Sequence, residues 1–228
     1  MGGRSRTGRI SARYPPEALE AVYENALPLR YYVDTEDTAT LTSRFEEDPA
    51  LVQEALKLAL RYFRVPLKVV RLCLDQNPDA AKTVHSVELM YLLHRVPEDE
   101  LLDMFRWLLE AGMTPNDTNW MRVSPLHLLA LRRTSHGTDG QDYALHLKTM
   151  QLFIEFGADL EARDEEFRST PLAWAARWGR KEAVELLLER GSRTNLPDDP
   201  PWATPLAWAR KKGHAQIEAM LRQAGAKS

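Results

Sequence analysis

The sequence holds a single cysteine, Cys73, among its 228 residues and has no long apolar run. One cysteine excludes an internal disulfide and every metal centre built from several cysteines, and it is typical of a reducing compartment. No window approaches the roughly 18 apolar residues of a membrane-spanning helix. The basic, glycine-rich residues 1–14 lack the apolar core of a secretory signal. We therefore expect a cytoplasmic or nuclear protein without a membrane span.

An excess of one charge is also missing. The chain has 30 Lys and Arg against 33 Asp and Glu, a formal net charge of −3. This balance provides no whole-molecule attraction to nucleic acid, so any electrostatic argument has to be local. The 44% of hydrophobic residues is enough to bury a sizeable core.

Signatures of catalysis and metal binding are absent from the sequence. None of the six histidines belongs to an H-E-x-x-H or lies beside a G-x-S-x-G motif, and no glycine-rich phosphate-binding loop occurs. Cys73 follows the apolar residues Val69 and Val70 at helical spacing, which is typical of a packed side chain. We expect no catalytic residue, no metal site and no cofactor.

The chain does contain an internal repeat. Residues 169–179, STPLAWAARWG, return 34 positions later as residues 203–213, ATPLAWARKKG. Gly157, Gly191 and Gly225 keep the same step. Between each Thr-Pro and the next of these glycines lie two apolar patterns of helical period. Threonine and proline favour a helix start, and glycine suits a left-handed helix end, so each repeat is predicted as two helices.

At these residues the chain resembles the ankyrin-repeat family. Residues 170–175 and 204–209 match its T-P-L-H-x-A motif, and residues 157–164, GADLEARD, are similar to its G-A-D-V-N-A-x-D segment. A third copy begins at Ser124, 46 residues before Thr170, which indicates an insertion of about twelve residues at 134–145. The resemblance implies an all-α solenoid of about five helix-turn-helix repeats. Its hairpin loops should be irregular, because they are lengthened and lack the family's glycine.

Upstream the motif fades but the rhythm continues. Residues 51–60 pair with 67–74, and residues 87–94 pair with 101–112, with Asn77 in the place of the glycine after the first pair. These pairs make two degenerate repeats at 50–119, followed by three recognisable repeats at 120–228. Residues 14–49 are predicted to be a helical cap, and residues 1–13 a flexible basic arm.

The resemblance also implies a concave surface that binds a partner. Trp174 and Trp208 are expected on the inward face of the first helices, in the core. The contact positions are the residues before the mid-repeat glycine and those of the hairpins: Arg177, Trp178, Lys211, Lys212, Leu131, Arg132, Trp120, Met121, Arg122, Phe167, Arg168 and Trp202. The alternative is a solvated helix end with tryptophans folded back on neighbouring hairpins.

Three functions fit these observations. The first is a non-enzymatic adaptor, scaffold or inhibitor that is monomeric in isolation and offers a basic, aromatic groove to an acidic segment of a protein or peptide. The second is a structural or accessory subunit held permanently in a larger complex. The third is a nucleic-acid-binding accessory protein, which the overall acidity argues against.

Overall fold

The structure, a computed structural model, describes residues 28–61, 65–94, 96–131 and 141–227. In these ranges the chain forms helices joined by loops, and no strand occurs. The predicted arm at 1–13, the predicted helix over 14–27 and Arg132 lie outside the described residues. The contacts divide the chain into two units, residues 28–61 with 66–77 and residue 65 with 78–227.

The first unit consists of four helices. Helix α1 spans Leu29–Thr35, α2 spans Thr38–Glu47, α3 spans Leu51–Leu60 and α4 spans Leu67–Gln76. Helix α2 begins where the Asp37 carboxylate accepts a hydrogen bond from the Thr40 amide, at 3.1 Å. Helix α3 packs against both α1 and α4. The helix pair expected at 51–60 and 67–74 is therefore present, and the predicted capping region contributes two helices to the same unit.

The end of α4 differs from the prediction. Asn77 has φ −148° and ψ 91°, an extended conformation, and not the left-handed one expected of a residue that replaces glycine. The residue that follows is Pro78, whose ring restricts the preceding residue to extended backbone. The expectation for Asn77 was wrong because it ignored this proline.

The second unit contains four successive helix pairs. It opens with a 3₁₀ helix at Pro78–Thr83. In the first pair, a second 3₁₀ helix, Ser86–His94, is followed by α5, Glu98–Glu110. The other three pairs are α6, Pro125–Ala130, with α7, Gln141–Glu155; α8, Pro171–Arg177, with α9, Lys181–Glu189; and α10, Pro205–Lys212, with α11, Ala215–Gln223. The first helices of the pairs contact one another in chain order, and so do the second helices. This two-layer stack is the helical repeat architecture that the sequence predicts.

The third predicted repeat has a longer second helix than expected. Helix α7 begins at Gln141, so residues 141–145, which the spacing assigned to the insertion, form its first turn. Residues 132–140 lie outside the described part of the chain.

The repeated Thr-Pro pairs begin helices as the sequence predicts. The Thr170 hydroxyl accepts a hydrogen bond from the Ala173 amide at 3.3 Å, and the Thr204 hydroxyl accepts one from the Ala207 amide at 3.2 Å. Because the threonine satisfies an amide that has no partner within the helix, both helices begin at a fixed residue. The repeat glycines that follow the second helices have positive φ, for example 92° at Gly191.

Candidate partner-binding surface

Three tryptophans are the large hydrophobic side chains exposed in the described part of the chain. Trp120 is 84% exposed, Trp202 is 52% exposed and Trp178 is 40% exposed. Trp120 and Trp202 lie in the loops before α6 and α10, and Trp178 directly follows α8. By contrast, Trp174 and Trp208 are 6% and 4% exposed, as their inward positions predict.

Arg177, at the end of α8, is stacked on aromatic rings. Its guanidinium carbon lies 3.6 Å from the centroid of the Phe167 ring, 4.2 Å from that of Trp208 and 5.4 Å from that of Trp178. Its Nε and Nη1 atoms are buried and have no hydrogen-bond partner among the described residues. Burial lowers the pKa of the guanidinium. The sequence predicts a partner contact at Arg177, with a solvated helix end as the alternative. The side chain is half-buried within an aromatic cluster, which we call the Arg177 stack: Phe167, Arg177, Trp178 and Trp208.

One lysine lies beside the Arg177 stack. The Lys211 ammonium is 4.9 Å from the centroid of the Trp208 ring, on which Arg177 also lies. Lys211 and Lys212 are both exposed at the end of α10. The surface around Trp178 therefore combines accessible cations with an accessible aromatic ring, a composition that is enriched at protein interfaces.

A buried carboxylate fixes the loop before α8. Asp164 is 2% exposed, and its side chain accepts hydrogen bonds from the Phe167 amide at 2.7 Å, the Ser169 amide at 3.1 Å and the Trp174 indole at 2.8 Å. These bonds hold Phe167 in place beneath Arg177. Sequence reasoning named Asp164 only as part of the repeat motif; the signal for its role was the tryptophan at position 174.

The hydrogen bonds between repeats change where the motif histidine is lost. His127 is fully buried, and its Nδ1 accepts from the Ser124 amide at 3.2 Å, so Nε2 carries the proton and donates to the Ser169 carbonyl at 3.0 Å. Alanine replaces this histidine in the next two repeats. There the Trp208 indole donates across repeats to the Ser169 hydroxyl at 2.9 Å, and the Trp174 indole donates within its own repeat to Asp164.

The loops before α6 and α8 each contain an arginine with left-handed backbone. Arg122 has φ 56° and Arg168 has φ 47°, and both side chains are exposed. A backbone hydrogen bond of 2.9 Å from the Glu165 amide to the Met121 carbonyl joins the two loops. The two predicted contact residues are thus held on neighbouring loops, and both line an open depression of about 800 Å³.

Other kinds of site receive no support from the geometry. The described residues contain no cluster of side chains suited to bind a metal ion, and none of their helices combines the length and hydropathy of a membrane span. Cys73 is buried, and burial raises the pKa of its thiol to about 12. A thiol that stays protonated at neutral pH is a poor nucleophile.

The comparison with protein families agrees with this architecture. The model described as "Ankyrin repeats (3 copies)" matches residues 93–198 and 141–227, which together cover more than half of the chain. No curated protein matches the chain. The match includes every helix from α5 to α11 and both Thr-Pro repeats. The chain belongs to the ankyrin-repeat family.

Proposed function

We propose that the chain is a non-enzymatic module that binds a partner protein through the exposed tryptophans and cations of its last three repeats. Ankyrin repeats generally mediate protein–protein interaction. The observation that carries the proposal is the exposure of Trp120, Trp178 and Trp202, which lie in the loops before or directly after the first helices of the last three repeats.

Exposed tryptophan is unusual enough to need a reason. A tryptophan side chain carries a large apolar area whose removal from water is favourable, and a folded chain gains nothing from leaving three of them in solvent. Tryptophan and arginine are also the residues most enriched among those that dominate binding energies. Arg177 lies over the Trp178 ring, and Lys211 lies over the Trp208 ring of the same stack, so an acidic segment of the partner complements this part of the surface.

Site-directed photocrosslinking tests the proposal in the full chain. A photoreactive phenylalanine analogue at position 178 or 202 should give crosslinks to a protein in cell extract. The matched control carries the analogue at position 182, which is exposed on α9 in the layer of second helices. Equal crosslinking from positions 178 and 182 would contradict a specific surface, and crosslinks to nucleic acid alone would favour the third function.

Replacing the three tryptophans provides an independent test. The triple variant Trp120→Ala, Trp178→Ala, Trp202→Ala should no longer co-purify with the partner that the crosslinks identify, while it keeps its helical circular dichroism. A permanent subunit would instead be insoluble or aggregated when it is expressed without its complex, because its interface would stay exposed. A soluble monomer with reversible binding supports the module.

A further inference from the structure

We draw no further inference here: the strongest candidate, the Arg177 stack at the end of α8, belongs to the partner-binding surface already described, and the guanidinium atoms that lack a hydrogen-bond partner among the described residues are buried and so select no ligand.

Discussion

Arg177 stacks its guanidinium on the ring of Phe167, with 3.6 Å between the guanidinium carbon and the ring centroid. The two residues are ten positions apart, one at the end of α8 and the other in the loop before it. The contact closes the loop onto its own helix, and Trp208 extends it to the next repeat. A residue predicted as a partner contact therefore joins two repeats.

Substitution of Arg177 should affect stability through packing as well as charge. Arg177→Ala removes contacts with two rings at distances where cation–π interactions contribute about 0.5–2 kcal/mol each, so we expect a loss of about 1–4 kcal/mol. Arg177→Lys should lose less stability than Arg177→Ala, because the ammonium keeps the positive charge over the rings. It should still lose some, because an ammonium cannot stack on a ring as the planar guanidinium does. Urea denaturation measures both. Lys212→Ala is the control and should be within about 0.5 kcal/mol of the unmodified chain; an equal effect of both alanine variants would refute the stacking role.

The two tryptophans of α8 and its end should respond differently to truncation. Trp174→Ala empties a core position and removes the hydrogen bond to Asp164, so it should lower the free energy of unfolding by about 3–5 kcal/mol. Trp178→Ala should cost less than about 1 kcal/mol, yet weaken partner binding by about 2 kcal/mol or more if Trp178 is an interface anchor. Thermal melts and a binding assay measure the two effects. Similar melting temperatures for the two variants would place Trp178 in the core.

The repeat pattern allowed much of the second unit to be predicted. Periodicity locates a helix well when its apolar residues face one neighbour, as in α9. The Thr-Pro pair fixes the first residue of α8. Periodicity does not separate α from 3₁₀ structure. It therefore predicted a helix at 87–94 but not that this helix is of the 3₁₀ type. The end of α4 depended on a single residue, Pro78, that an average repeat length does not describe.

The site was harder to predict because it depends on contacts across repeats. A position in the motif indicates which side of a helix a residue occupies, but not whether a neighbouring ring covers it. Arg177 and Lys211 occupy equivalent positions in successive repeats, yet Arg177 is half-buried and Lys211 is exposed. The difference arises from Trp208, which belongs to the following repeat and covers Arg177.

Gly179 should tolerate substitution poorly for two reasons. Its φ is 70°, and a Cβ atom there would lie 2.8 Å from Cε1 of His214. Gly213 provides a matched control, because its φ of 74° is similar but its Cβ would meet nothing within 4 Å. Both alanine variants should lose about 1–2 kcal/mol from backbone strain, and Gly179→Ala should lose more.

A double-mutant cycle isolates the steric part of this cost. In a His214→Ala background, Gly179→Ala should cost about as much as Gly213→Ala does in the unmodified chain. The difference between the two backgrounds is the interaction energy, for which we expect about 0.5–3 kcal/mol. A cost that does not depend on His214 would show that the loop moves to accommodate the methyl group.

His127 should make stability sensitive to mild acid. Burial lowers its pKa below 6.5, so the folded chain binds fewer protons than the unfolded chain once the pH falls below about 6.5. The contribution of neutral His127 is complete above that pH and is lost as the pH falls, by up to about 1.4 kcal/mol per pH unit.

Urea denaturation between pH 5.5 and 8 measures this dependence. His127→Ala should be less stable at pH 8 but should lose less stability on acidification. Identical slopes for the unmodified chain and His127→Ala would contradict the role of His127.

Ser169 joins three consecutive repeats with one residue. Its carbonyl accepts from His127 of the preceding repeat, its hydroxyl donates to the Ala203 carbonyl before α10, and the same hydroxyl accepts from Trp208. In a repeat array, stability is a sum of terms for single repeats and for the interfaces between neighbours. Because Ser169 contributes to two interfaces at once, partial loss of the array becomes less favourable than complete loss. The last three repeats should thus unfold in one cooperative transition, without the gradual fraying from the C-terminus that a chain of independent units would show.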